Sequence, residues 1–231
     1  MTRAGPPPKS ATVAGRGAKH GGGDGAVPYG AGLRRPSGKS ADTRARVVRG
    51  ALVALETHGL GQTTTRRIAD EAGLTLASLH YHFANKDAVL LAVLEDIVSE
   101  LAREIAAGPA GGPLRERVAG VVHTAWAYAE RTRAKQIVQY ELTLHALRTR
   151  GSDWLAAWQY DHYVAAYTVP FAALLDAAAA RRLGRHLLAG LDGLILQRLA
   201  GAPDDDLAAG LAALVAGAVA YALALAGEGP G

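Results

Sequence analysis

Between Gly73 and Leu90 the chain reads GLTLASLHYHFANKDAVL, and Thr75, Ser78, His80, Tyr81, His82 and Lys86 place hydroxyl, imidazole, phenol and ammonium groups in surroundings otherwise rich in Ala and Leu. Side chains of these types can ligate a metal, move protons or donate hydrogen bonds to an anion. Spacing decides among the three. His80 and His82 are two residues apart, roughly 200° around a helix, and face different ways. None of the eight histidines forms the i, i+4 pair around a Glu that a zinc protease needs. No serine sits in a glycine-flanked elbow. The chain has no cysteine, which removes thiolate zinc sites, cysteine nucleophiles and disulfides, and fits a reducing interior. Neither an enzyme nor a cofactor is expected. Hydrogen bonding to an anion remains.

The charge distribution points the same way. Residues 1–41 carry seven bases against one acid, residues 42–86 six against four, and the remainder twelve against sixteen. Positive charge is concentrated toward the N-terminal part, which suits a polyanion partner. Residues 1–41 hold half of the prolines, a GGG run and few bulky apolar residues, so they are expected to form a disordered basic tail. Its SGKS (Ser37 to Ser40) lacks the preceding glycine and strand of a phosphate-binding loop. The residues after Met1 have no apolar core of a secretory signal, and a cytoplasmic location is expected.

The elements that would position the polar groups are helices. Apolar residues recur at three and four, and no hairpin signal interrupts them. A first helix is expected from about Asp42 to His58, with Val48, Leu52 and Leu55 on one face and a stop at Gly59–Leu60. Thr64 is placed to cap a short helix with Ile68, Ala69 and Ala72 facing inward, ended by Gly73. Thr75 caps the next, from Leu76 to about His82, and Asn85 caps a long fourth helix striped by Val89, Leu90, Val93, Leu94, Ile97, Leu101 and Ile105. Two short helices around a glycine turn, carried on longer ones, make a helix-turn-helix whose second helix enters the DNA major groove.

With VVRGALVALETHGLGQTTTRRIADEAGLTLASLHYHFANKDAVL on the page, the stretch 44–105 resembles the DNA-binding domain of the TetR family of transcriptional regulators. The features that match are the small-residue first helix, the Gly59 turn, TTTRRIADEAG, and the run from Leu79 to Lys86. The resemblance implies DNA contacts from Thr64, Thr65 and Arg66 at the start of the first short helix, and from Thr75, Ala77 and Ser78 at the start of the second. It also implies backbone contacts from Tyr81, His82 and Lys86. The family usually carries Tyr where this chain has His80, and Tyr81 follows one residue later. Either His80 takes over that phosphate contact or Tyr81 does.

Beyond GPAGGP (Gly108 to Pro113) a second all-helical region is expected, giving an all-α chain with a helix-turn-helix domain at 42–88 followed by a ligand-binding and dimerisation domain at 89–231. Its aromatics cluster. Trp154, Trp158 and His162 are spaced by four, Tyr160, Tyr163, Tyr167 and Phe171 lie beside them, and Pro170 should kink their helix. Upstream, IVQYELTLHALR sets polar groups in an apolar helix. A small-molecule wall of this kind is mostly apolar with a few convergent polar groups, and Tyr140, Glu141, Trp158, His162 and Tyr163 are its candidate residues. The resemblance implies an effector that alters the separation of two reading heads.

Residues Leu207 to Ala226 run without a charge for a bilayer's length, but half are Ala and the flanks are acidic, so no membrane partner is expected. A helix buried nearly all round, by 185–200 and by the same pair of a second subunit, is the preferred reading, with Gly190, Gly193, Gly210 and Gly217 allowing close approach. The expectation is a homodimeric, ligand-responsive regulator, a repressor by family habit, on a pseudo-palindromic double-stranded operator. Its competitors are a small-molecule-binding helical dimer with a degenerate reading head and a membrane-anchored regulator.

Overall fold

The computed structural model describes residues 38–108 and 111–227, and the expected basic tail lies outside them except for its last four residues. Among the described residues all regular structure is helical: α1 (Gly38–Gln62), α2 (Thr65–Glu71), α3 (Leu76–His82), α4 (Lys86–Ala107), α5 (Leu114–Arg131), α6 (Arg133–Arg148), α7 (Asp153–Thr168), a 3-10 turn (Val169–Phe171), α8 (Ala177–Leu199) and α9 (Asp204–Ala226).

The starts of the short helices are set by side-chain caps. Thr64 Oγ1 accepts from Arg67 N at 3.2 Å, Thr75 Oγ1 from Ser78 N at 3.1 Å and Asn85 Oδ1 from Ala88 N at 2.9 Å. Each satisfies one amide that the first turn would otherwise leave open. α1 breaks at Gly59 (φ 70°, ψ 168°), and Gly73 (φ 62°) makes the turn between α2 and α3. Arg46 then fastens that turn to α1, its Nη2 donating to the Ala72 and Gly73 carbonyls at 2.9 Å each. Gly50 lets the two helices meet: a Cβ there would lie 2.6 Å from the Ala72 amide nitrogen.

Two hydrophobic cores follow. The first joins Val47, Ala51 and Leu55 of α1, Ile68, Leu79, Phe83, and Leu90 and Leu94 of α4 to Val138 and Leu142 of α6. The second joins the end of α4 to α5, α7, α8 and α9. α4 therefore runs through both, and α6 braces the first from the other side.

Three details differ from expectation. α1 begins at Gly38, four residues early, so the end of the supposed tail is helical. α7 does not kink at Pro170 but ends at Thr168, and Pro170 enters the 3-10 turn, where its missing N–H costs nothing. α9 is not covered all round within one chain. Leu207, Leu211, Ala218, Ala222 and Leu223 are buried, whereas Ala208, Ala212, Ala216, Ala220 and Ala224 form an exposed stripe at every fourth residue. Leu214 fills the space at Gly190 and Leu194 that at Gly210, which seats α9 on α8, while Gly193 and Gly217 have nothing against them.

Candidate functional site

The surface of α2 and α3 is polar by construction. One side of each short helix goes to the core through Ile68, Ala69 and Leu79, so the remaining side must face out. On it Thr64, Arg66, Thr75, Ala77, His80 and Tyr81 are exposed, and Thr65, Ser78, His82 and Lys86 are half-buried. Tyr81 is 84% exposed and meets His82 edge to face at 5.1 Å. Arg67, by contrast, is tied to the Gln62 carbonyl at 2.9 Å. Phe83 is core, covered by the Arg44 guanidinium 4.4 Å from its ring centre, and Arg44 also pairs with Glu95 at 3.7 Å. The structure thus brings the ten sequence-selected residues onto the two short helices, their caps and the first residue of α4.

Lys86 has a further engagement. Its Nζ donates to the Leu60 carbonyl at 3.1 Å, and partial burial lowers its pKa from the ordinary lysine value. On the other side of the same residue, Leu60 N donates to Glu141 Oε2 at 3.3 Å. Glu141 therefore faces α1, away from the other four residues selected as pocket candidates.

Those four lie on α6 and α7. Trp158 stacks on His162 with ring centres 4.0 Å apart, and the His162 Nδ1 is 2.7 Å from the Trp158 carbonyl. Tyr163 is buried and donates to Gln139 Oε1; Gln139 continues to Gln136 at 2.7 Å and Gln136 to Thr132 at 2.9 Å. Tyr140 donates to Asp192 Oδ1 at 3.1 Å, and Tyr160 also hydrogen-bonds Asp192. Burial raises the Asp192 carboxyl above its ordinary value, the two phenols offsetting this in part, and burial with the Asp192 charge raises Tyr160 to about 12. Asp192, Tyr163, Tyr167, Gln139 and Leu191 share a space of about 20 Å³. A larger cavity of about 580 Å³ opens between the ends of α4 and α7 and the middle of α5, lined by Ile105, Arg117, Val121, Thr124, Ala166 and Pro170. None of the five pocket candidates lines it.

Residues 47–93, from the middle of α1 into α4, match the family model described as bacterial regulatory proteins, tetR family. The chain carries the DNA-binding region of the tetR family. The regulator is 27% identical over 175 residues to the HTH-type nicotine-responsive transcriptional repressor HdnoR of Paenarthrobacter nicotinovorans, covering 71% of this chain and 87% of that one. Among solved structures it is similar to the multidrug binding protein EbrR complexed with imidazole, at 28% identity and a TM-score of 0.59 over 79% of this chain and 95% of that one. It is also similar to a tetR-family member of Streptomyces coelicolor A3, at 27% identity and a TM-score of 0.60 over 76% and 97%. This tetR-family chain is a helix-turn-helix transcriptional regulator, and its family is one of regulators and not of enzymes.

Three groups around the regulator's sites escape sequence reasoning. Arg46 has no local signal for holding a turn 26 residues on. The role of Leu60 is carried by its backbone, which its side-chain type does not advertise. Asp192 had a faint one: it is the lone charge in the apolar run LLAGLDGLIL.

Proposed function

We propose that this tetR-family regulator represses transcription by binding a pseudo-palindromic double-stranded operator as a homodimer, and that a small organic effector releases it. The observation that carries the reading is the outward run on α2 and α3, polar and uncovered while Ile68, Ala69, Leu79 and Phe83 are packed inward. In it Thr75, Ala77 and Ser78 approach base edges at the start of α3, and Arg66 reaches a guanine edge. Thr64 and Thr65 set register on phosphates, and His80, Tyr81, His82 and Lys86 hold the backbone.

Residues 42–88 form the reading head and 89–231 the effector and dimer domain. The exposed Ala stripe of α9, with the open Gly193 and Gly217, suits a second copy of the same pair of helices. α9 is long and apolar enough to cross a bilayer. Its uncovered face is Ala and Gly, however, which gain little from lipid but let helices approach closely, and its first turn carries Asp204, Asp205 and Asp206. A homodimer in the cytoplasm fits better. For the effector, Tyr140, Trp158, His162 and Tyr163 remain the proposed wall, and Glu141 is the link to the head. HdnoR's nicotine response and EbrR's complex with imidazole favour a small nitrogenous ligand as the class to try first.

The test is a reporter gene behind the regulator's preferred duplex. Wild type should silence it, and Ala216→Glu, on the exposed stripe, should sediment as a monomer and restore expression. Silencing by a monomeric Ala216→Glu protein would reject the dimeric reading.

A further inference from the structure

Asp192 is set apart from the other polar groups of the interior. Gln136, Gln139, Gln159 and Thr143 are neutral, buried and bonded to one another or to neutral partners. Asp192 carries a carboxylate among phenols and aliphatic side chains, and none of the ion pairs among the described residues includes it. Lys135 is paired with Glu100, and Arg198, on the same helix as Asp192, with Glu130 and Asp204. A charge withdrawn from water without a counter-ion is costly, and its burial pushes the carboxyl's pKa upward accordingly.

We propose that Asp192, the hydroxyls of Tyr140 and Tyr160 and the rings of Tyr163 and Tyr167 form a binding site for an organic cation, a protonated or quaternary nitrogen on an apolar frame. The inference deepens the effector reading above and rests on it. The carboxylate supplies the missing counter-charge, and tyrosine faces attract a cation that has shed its water. Leu101, Leu188, Leu191 and Ile195 line the same space and favour a hydrocarbon frame over a hydrated metal ion. Among the described residues no cluster of metal-ligating side chains is present there. Asp192, Tyr140 and Tyr160 are half-buried, so the carboxylate is reachable. The present space of about 20 Å³ holds one water. Uptake must therefore part α6 from α8 at the Tyr140–Asp192 bond, a movement that a water would not require.

The probe is benzyltrimethylammonium, set against its neutral isostere neopentylbenzene, with binding followed by tyrosine fluorescence and calorimetry on the full chain. The cation should bind roughly tenfold tighter or more than the isostere, and Asp192→Asn should erase that preference while keeping wild-type circular dichroism. Asp192→Glu, which keeps the carboxylate, should retain part of the preference, so a poorly folding Asp192→Asn leaves the comparison readable. Equal binding of cation and isostere, undiminished cation binding by Asp192→Asn, or no binding at millimolar cation would each overturn the proposal, the last leaving a water-filled space only. Operator release is scored separately. Cation binding without release would sink the effector reading and leave the site standing. Release by a compound indifferent to Asp192→Asn would do the reverse.

Discussion

Leu60 and Glu141 are 81 residues apart, and the Leu60 N–H donates to the Glu141 carboxylate across 3.3 Å while the Leu60 carbonyl accepts from Lys86. One residue at the end of α1 is thus held by α6 on one side and by the first residue of α4 on the other. A shift of α6 relative to α4 has to move or break one of these bonds, which makes the pair a mechanical link between α6 and the helix-turn-helix.

Glu141→Ala is expected to lower stability by about 1.5–3 kcal/mol, the worth of a hydrogen bond to a charged group. It should also speed amide exchange over residues 60–72 more than elsewhere. Native-state hydrogen exchange reads both, and a uniform change along the chain would deny the link.

Tyr81 separates function from stability. Its side chain is 84% exposed and meets His82 edge to face. Tyr81→Ala should leave the unfolding free energy within about 0.5 kcal/mol of wild type. It should cost operator affinity roughly tenfold, about 1.4 kcal/mol. Chemical denaturation and a duplex titration at fixed salt give the two numbers.

Gly50→Ala tests the seating of α2 on α1. Alanine in a helix gains about 1 kcal/mol over glycine. A methyl 2.6 Å from the Ala72 backbone nitrogen cannot be accommodated without moving α2, at a cost of about 1–3 kcal/mol. Net destabilisation is expected on thermal melting. A more stable protein would show that α2 can slide, and that the head is held less firmly than the contact implies.

Asp192 gives a pH signature. Its folded-state pKa is raised, so the proton is held more tightly by the native chain than by the unfolded one. The native state is relatively favoured below the ordinary carboxylate value, and this advantage is lost as pH rises through the raised one. Asp192→Asn should therefore be more stable than wild type near neutral pH, by about 1 kcal/mol. The difference should vanish toward about pH 4. A carboxylate kept at a cost in stability is what a ligand-binding role predicts. Paired unfolding curves at pH 4 and pH 7 decide it.

Local chemistry made much of this molecule readable before its structure. Thr64, Thr75 and Asn85 cap as their types and positions dictate, because each cap is formed with an amide three residues on. Gly59 and Gly73 end their segments by a backbone conformation that other residues rarely adopt. The apolar stripe of α4 was visible as periodicity, though not that it serves two cores. Long-range pairings were closed to such reasoning. Tyr140 could be chosen as a polar group in an apolar helix, but its partner Asp192 is 52 residues away, and Glu141, its neighbour in sequence, turns toward α1 instead. The cavity of about 580 Å³ arises where small residues such as Ala102, Gly120 and Ala173 leave room, and absent volume has no motif. α9 reads as buried from composition, yet a single chain covers only one of its faces.

The most direct test of the account is selection of duplexes from a random pool by the full-length wild-type chain, repeated with Tyr81→Ala. A two-headed reader whose α3 enters the major groove predicts an inverted repeat with half-sites one helical turn or a multiple apart, enriched by wild type and lost or weakened with Tyr81→Ala. Enrichment of no motif, of a single half-site, or of the same repeat with equal strength by both proteins would contradict it.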